Sequence, residues 1–176
     1  LARPRILAAV VALIIGQVVM VLVMTMTPLH MTDHGHGLAA VGLVISGHTF
    51  GMFAFSPISG RLAGRFGTPI IIAAGLALSA FSSVLAAVAP PDGGTVLFVA
   101  LFLLGVGWNL GFVAGSALLT EGLDGAERTT LQGATDAMIW SSAAAAAPAP
   151  LCSAANACSA CVWGPAALRT ADSCST

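Results

Sequence analysis

The strongest constraint on this chain is a series of long apolar stretches that contain no charged residue. The first runs from Ile6 to Met26 and reads ILAAVVALIIGQVVMVLVMTM. Roughly 20 helical residues cross a hydrocarbon core of about 30 Å, so a stretch of this length suits lipid. Composition agrees, because 57% of the 176 residues are hydrophobic and only 7% are charged. A soluble domain carries about a quarter charged residues, which this chain lacks.

Four complete spans and one shorter span are predicted. They cover residues 6–26, 38–59, 70–88, 96–119 and 134–147, and Pro148 ends the last of them early. All should be helical, because an open strand edge cannot satisfy its backbone in lipid and the alternation of a membrane barrel is absent. The predicted fold class is an all-α, polytopic transmembrane helix bundle over residues 1–147, with the lipid bilayer as its surroundings.

Residues 148–176 form a tail of different character, rich in Ala, Ser, Cys and Pro. It offers little patterned apolar surface to offset the entropy of ordering, so we expect it to be disordered. All four cysteines lie here, and Cys158 and Cys161 form a C-x-x-C pair. A zinc site needs four suitably spaced ligands and no histidine lies nearby, so no metal site is predicted. The abrupt change after the alanine run fits a shift of reading frame.

The arginines predict the orientation of the chain in the membrane. Arg3 and Arg5 precede the first span, Arg61 and Arg65 follow the second, and Arg128 follows the fourth. The opposite loops, HMTDHGHG and PPDGG, contain no Lys or Arg. The positive-inside rule therefore predicts a multi-pass plasma-membrane protein with a cytoplasmic N-terminus. The use of Arg without Lys, with abundant Ala and Gly, fits GC-rich coding and a bacterial inner membrane.

The stretch GRLAGRFGTP, residues 60–69, is the arginine motif of this chain. It resembles the signature loop G-x-x-x-D-R/K-x-G-R/K-R/K of the major facilitator superfamily, with Gly60, Arg65 and Gly67 at matching positions and Arg61 as an added charge. Gly64 replaces the family's aspartate, and a Thr-Pro pair replaces its closing basic residues. The glycines would permit a tight reversal between helices, while the arginines would hold the turn at the anionic inner surface.

A second stretch, residues 105–140, is similar to helices ten and eleven of a twelve-helix facilitator. The resemblance implies that helices seven to eleven of the carboxyl-terminal half are present, as part of a six-helix repeat. It further implies secondary active transport of a small molecule by alternating access, with substrate held between two halves near the bilayer midplane. The missing N-terminal half would be the partner, and no cofactor or nucleic acid is implied. Efflux and uptake use the same scaffold, so the direction stays open.

Three polar residues lie near the centres of predicted spans: Gln17, His48 and Asn109. Because a polar group in lipid is costly without a partner or a water-lined cavity, these three are the predicted substrate-binding residues. We expect them at similar depth. The alternative is that they form hydrogen bonds between helices. His48 is also a candidate proton carrier, since histidine ordinarily changes charge between about pH 5 and 8.

Glycines at four-residue spacing predict close helix packing. They are Gly47 and Gly51 on the second span, and Gly107, Gly111 and Gly115 on the fourth. Faces of this small-xxx-small kind let helix backbones approach each other in lipid. No strand precedes these glycines and no lysine follows them, which argues against a nucleotide loop.

The sequence gives no support for an enzyme. It lacks H-E-x-x-H, G-x-S-x-G and paired intramembrane aspartates. His30, His34 and His36 lie with Asp33 in a glycine-containing loop, where solvation is the simpler interpretation than metal binding. The alternative to transport is a non-transporting, truncated membrane fragment or scaffold.

The predicted orientation is testable by labelling single cysteines in a variant whose native cysteines are replaced by serine. A membrane-impermeant maleimide added outside intact cells should label Thr32→Cys and Asp92→Cys, because both lie in loops without arginine. It should fail to label Ala63→Cys and Gly125→Cys until the cells are permeabilised. The reverse labelling pattern would overturn the orientation.

Overall fold

The computed structural model describes residues 4–90, 94–121 and 123–146. Within these ranges the chain forms six helices and no strand. They are α1 (Pro4–Asp33), α2 (Leu38–Ala54), α3 (Ser56–Phe66), α4 (Thr68–Ala87), α5 (Gly94–Leu119) and α6 (Gly125–Ala146). The predicted all-α membrane helix bundle is therefore confirmed. The predicted tail, residues 148–176, lies outside the described residues.

Three of the described helices are long and apolar enough to cross a membrane, namely α1 from Ile6, α4 and α5. The pair α2 and α3 is also apolar enough when taken together, but it is bent by 44° at Phe55. The second predicted span is thus a broken span. Pro57 stands in the first turn of α3, where its missing N–H costs no helical hydrogen bond.

The first helix continues well beyond the predicted end at Met26. It passes through Pro28 and ends at Asp33, so much of the expected histidine loop is helical. Met31 in the added turns is fully buried and packs in a cluster with Val41 and Leu101. This packing explains the extension, because burial of a large apolar side chain favours the helix beyond the stretch that hydropathy alone marks.

The arginine motif differs from its predicted form. Gly60, Arg61 and Arg65 lie within α3, which runs on to Phe66, and Gly67 alone occupies the turn into α4. Gly67 has φ 89°, a backbone conformation that favours glycine, and its N–H donates to the Ala63 carbonyl. The predicted reversal of the backbone therefore depends on one glycine rather than two.

Helix α5 lies at the centre of the bundle and contacts all five other helices. Its closest neighbours approach at glycines. A Cβ added to Gly75 of α4 would lie 2.6 Å from the Gly111 nitrogen and 2.7 Å from the Gly107 oxygen. On the other side of α5, a Cβ on Gly51 would lie 2.6 Å from the Phe102 oxygen. Backbone therefore meets backbone along both contacts, which only glycine permits.

The glycines named from the sequence lie in different settings. An added Cβ would clash with the Phe98 ring at Gly47, with Ser79 at Gly107 and with Leu13 at Gly115. At Gly111 it would meet no atom within 4 Å, so space is available there, although the Gly111 backbone is itself approached by Gly75. Sequence reasoning missed Gly75 and Gly105 as contact residues.

The last helix begins earlier than predicted, at Gly125 rather than near residue 134. Its first turns, GAERTTLQGATD, are polar, and for this reason hydropathy alone did not mark them. Farther along, the buried Ile139 packs against Val10 and Leu13 of α1 and Leu119 of α5. The helix is therefore joined to the bundle mainly through α1.

A matched pair of glycine substitutions tests the close packing of α5. A Cβ on Gly105 would overlap the His48 carbonyl oxygen, so Gly105→Ala should destabilise the bundle by about 1–3 kcal/mol. Gly111→Ala, with open space at its Cβ, should be neutral or stabilising because alanine favours helix. Thermal unfolding of both variants in detergent, followed by circular dichroism, measures the difference. Equal midpoints for the two variants would contradict the packing described here.

Candidate functional site

Gln17 lies on α1 and is fully buried against α5. Its Oε1 accepts a hydrogen bond of 2.8 Å from the Trp108 indole Nε1. Its Nε2 is also buried and has no hydrogen-bond partner among the described residues. The amide thus joins two helices at one end and keeps a free donor at the other.

Trp108 belongs to a group of aromatic side chains that we call the aromatic wall, formed by Phe53, Trp108 and Phe112. The Trp108 and Phe112 rings stack with centroids 4.6 Å apart and an interplanar angle of 12°. The Phe53 ring from α2 meets Trp108 edge-on, at 6.5 Å and 70°. Trp108 and Phe112 are half-buried, and Phe53 is 61% exposed. Part of the aromatic surface of the wall, above all that of Phe53, is therefore uncovered.

Asn109, the next residue along α5, points to the broken span and has all its groups bonded. Its Nδ2 donates to the Met52 carbonyl at 2.5 Å and to Ser56 Oγ at 2.7 Å. Its Oδ1 accepts from Ser59 Oγ. The side chain therefore bonds on both sides of the bend at Phe55. A buried amide that is satisfied in this way stabilises contact between helices, as in the alternative that the sequence left open.

His48 lies at the crossing of α2 and α5 and is 1% exposed. Its Nδ1 is 2.8 Å from the Leu101 carbonyl oxygen. A carbonyl only accepts, so Nδ1 carries the hydrogen and the neutral ring keeps a lone pair on Nε2. Nε2 is buried without a partner among the described residues. The ring therefore offers one free acceptor nitrogen inside the bundle.

The three predicted polar residues do not share one depth. Gln17 bonds Trp108, and Asn109 is the next residue along α5, so Gln17 and Asn109 lie at a similar level. His48 bonds Leu101, about two helical turns from Asn109 along the same helix. It therefore lies closer to the end of the bundle that carries His30 and His34, which we call the histidine end.

Open grooves lie at both ends of the bundle. At the histidine end, a groove of about 480 Å³ between α1 and α4 is lined by His30, Asp33 and Ser83 among others. At the opposite end, which carries the arginine motif, a groove of about 570 Å³ is lined by Gly60, Gly64, Gly67 and Glu121 among others. None of the three predicted polar residues lines either groove.

The charged residues of the arginine motif face outward. Arg61 and Arg65 are exposed, and the Arg65 guanidinium lies 5.5 Å from the centroid of the Phe66 ring. Arg128, in the first turn of α6, donates from Nη2 to Thr120 Oγ1 at 3.0 Å, just past the end of α5. These arginines lie at one end of the bundle, where they can meet anionic headgroups.

The histidine end offers little for a metal. The His30 and His34 rings are 4.2 Å apart, and His34 Nδ1 is 2.8 Å from the His30 carbonyl oxygen. Within the residues that the structure describes, no group of three or more His, Cys, Asp or Glu side chains is placed to hold a metal ion.

Sequence reasoning identified Gln17, His48 and Asn109 but missed their partners. Neither the aromatic wall nor the serines around Pro57 were identified from the sequence. A lone tryptophan in an apolar helix carries no signal for the helix that it will meet. The signal available for Asn109 was the S-P-x-S stretch, whose freed backbone and hydroxyl groups call for a buried partner.

Comparison with known proteins gives a consistent family. The Major Facilitator Superfamily profile matches residues 1–149. The chain is 44% identical over 144 residues to the uncharacterized MFS-type transporter YddS of Bacillus subtilis, and 43% identical over 144 residues to YdeG of the same organism. It is 39% identical over 146 residues to the riboflavin transporter RfnT of Brucella anthropi.

These matches cover most of this chain but a minor part of each relative. They span 81% of the chain and 33% of YddS and of YdeG, and 83% of the chain and 36% of RfnT. The chain therefore spans about a third of the length of these curated relatives. No solved structure matches it significantly.

The role of Asn109 in holding the broken span is testable. Asn109→Leu would leave the Met52 carbonyl and two serine hydroxyls without their buried partner, so it should destabilise the bundle by about 1 kcal/mol. Thr49→Ala is the control, because Thr49 is exposed and bonds only within its own helix. Hydrogen exchange at residues 53–59 should accelerate in the Asn109 variant alone. Unchanged exchange there would show that Asn109 does not hold the bend.

Proposed function

Because the chain belongs to the Major Facilitator Superfamily, we propose that it forms part of a secondary transporter that moves a small organic molecule by alternating access. The observation that carries this proposal is the family match over residues 1–149. The helices support it, because buried polar groups on α1, α2 and α5 lie inside the bundle rather than toward lipid. No catalytic role is proposed.

Substrate would be held between this bundle and a second one. In this family type, sites lie near the bilayer midplane at the interface of repeats. The chain would supply helices of the carboxyl-terminal half, and an N-terminal half would supply the other wall. Exposed apolar side chains such as Leu43, Phe50 and Phe53 on α2 fit burial against that half or against lipid.

The arginines support an orientation in which the end of the bundle that carries the arginine motif faces the cytoplasm. Arg61, Arg65 and Arg128 lie at one end of the helices. Basic residues are concentrated in cytoplasmic loops of membrane proteins, so we place this end at the inner face of a bacterial plasma membrane.

Gln17 and His48 are the residues proposed to contact substrate, because each has a buried polar atom without a partner in the described part of the chain. Both are buried inside this bundle, so they would contact substrate only when the bundle opens toward the second half. Asn109 was also predicted to bind substrate. Its hydrogen bonds to the broken span favour a supporting role beside the site instead. A small molecule with both donor and acceptor groups would satisfy Gln17 Nε2 and His48 Nε2.

One relative suggests a first compound to test. RfnT is named a riboflavin transporter, and it is 39% identical to this chain over 146 residues. Riboflavin is therefore the first candidate substrate. The alternative function is a membrane fragment or scaffold that does not transport, and the same experiment separates the two.

Transport is testable in a chimera. The segment of RfnT that matches this chain is replaced by the corresponding residues of this chain, and riboflavin uptake is measured in cells that require external riboflavin. We expect uptake above the empty vector, and loss of uptake in the same chimera carrying Gly105→Leu, which blocks helix packing. Gly111→Ala should retain uptake. Correct membrane insertion without uptake would favour the scaffold.

Proton coupling through His48 gives a further expected outcome. If Nε2 of His48 accepts the coupled proton, uptake by the chimera should vary with external pH, and His48→Gln should flatten that profile. Glutamine can still donate a hydrogen bond toward Leu101 but does not titrate. Thr49→Ala serves as the neighbouring control. An unchanged pH profile in His48→Gln would assign His48 a structural role.

A further inference from the structure

We propose that the groove at the histidine end is a binding site for an amphiphilic organic cation, with the ammonium group at Asp33 and the apolar body between α1 and α4. The groove has a volume of about 480 Å³, which lies in the range of small-molecule sites. Neither Gln17 nor His48 lines it, so the proposal goes beyond the transport function and does not depend on it.

The groove exists because the two helices that border it carry side chains of different size. Helix α1 presents long apolar side chains to it, among them Met26 and Leu29. Helix α4 presents the short side chains of Ser83, Ala86 and Ala87. Short side chains on one wall leave space that a second row of large side chains would fill, so a recess remains between the helices.

A ligand can reach this recess from outside the bundle. Thr27 and Leu97, which line its inner part, are 5% and 3% exposed, whereas Asp33 at its rim is exposed. The charged and the apolar side chains therefore line one continuous cavity. A molecule with a charged head at the rim and an apolar body inside would keep its charge near water while burying its apolar surface.

The polar side chains of the groove favour a ligand that donates hydrogen bonds. The hydroxyls of Thr27 and Ser83 each donate to a carbonyl of their own helix, at 2.8 Å. Each hydroxyl has thus used its one hydrogen, and its oxygen remains an acceptor. The ionised Asp33 carboxylate is an acceptor too, and the neutral His30 ring has one acceptor nitrogen. An ammonium group carries only donors and complements such a set.

Charge favours a cation at the rim of the groove. Among the described residues that line it, Asp33 alone is acidic and none is Lys or Arg. The loops after α1 and after α4 contain no Lys or Arg either, so they supply no counter-ion for this carboxylate. Asp33 also ends α1, where the helix dipole adds negative potential. A bound cation would neutralise both the carboxylate and the helix end.

The test measures binding of dansylcadaverine to the full 176-residue chain in phosphatidylcholine nanodiscs, at about pH 8, where histidine is ordinarily uncharged. This probe joins a fluorescent aromatic body to a primary ammonium group. Its N-acetyl derivative has the same body without the charge and serves as the matched control. We expect the charged probe to give a saturable increase in dansyl fluorescence, above the linear signal that empty nanodiscs give.

Two pairs of variants test the two parts of the site. Asp33→Asn should weaken binding of the charged probe roughly fivefold and leave that of the acetylated probe unchanged, because only the ion pair is lost. Asp124→Asn removes an exposed acid at the arginine end and should change neither. Ala87→Phe should fill the groove and weaken both probes at least fivefold. Val88→Phe alters the next residue, which does not line the groove, and should change neither.

The proposal is overturned if the charged probe gives no saturable signal, if Asp33→Asn weakens it no more than Asp124→Asn, or if Ala87→Phe leaves its binding unchanged. Binding to the chain that disappears in the RfnT chimera would also overturn it, because a helix of the whole transporter would then cover the groove. The transport assay is independent of these results. A chimera that binds the probe without riboflavin uptake supports the groove alone, and uptake without probe binding supports the transporter alone.

Discussion

Direct contact between helix backbones is the interaction on which this bundle depends. Lipid provides no hydrophobic driving force between helices, so close van der Waals contact must replace it. Gly75 lets α4 approach α5 on one side, while Gly51 and Gly105 let α2 approach on the other. These contacts leave little freedom in the position of α5, which carries the ring of Trp108, the amide of Asn109 and the carbonyl that bonds His48.

The polar groups of the interior divide into two sets with different chemistry. The Asn109 amide is fully used in joining α5 to the broken span. Gln17 and His48 each use one polar atom to join helices, and the other polar atom has no partner among the residues that the structure describes. An interior built only for stability would satisfy both atoms, because unpartnered groups in a low-dielectric environment are costly. This difference is the basis of the proposal that Gln17 and His48 contact substrate while Asn109 supports the fold.

Hydropathy was enough to predict the all-helical class and three of the spans, because a membrane span needs only length and apolarity. It missed the extra turns of α1, since Met31 is helical by virtue of a long-range packing contact. The form of the arginine motif was predicted wrongly because glycine permits a turn without requiring one. Gly60 is in fact helical, and the turn lies at Gly67. Gln17 and Asn109 could be identified from the sequence because a polar side chain is costly in lipid. Their hydrogen-bond partners could not, because those depend on how each helix is rotated about its axis, which the sequence does not reveal.

The bend at Phe55 determines where α3 places the arginine motif. Its eleven residues extend about 17 Å from the bend to Gly67, so a change of 10° in the bend would move the arginine motif by about 3 Å. Asn109 forms hydrogen bonds with Met52 before the bend and with Ser56 and Ser59 after it, and so stabilises the angle between α2 and α3. While these hydrogen bonds are formed, the position of Arg61 and Arg65 is coupled to that of α5. Loss of these bonds would remove the support at the bend, and the packing of Ala63 against Ile71 of α4 and Ala114 of α5 would then alone fix where the two charges lie at the membrane surface.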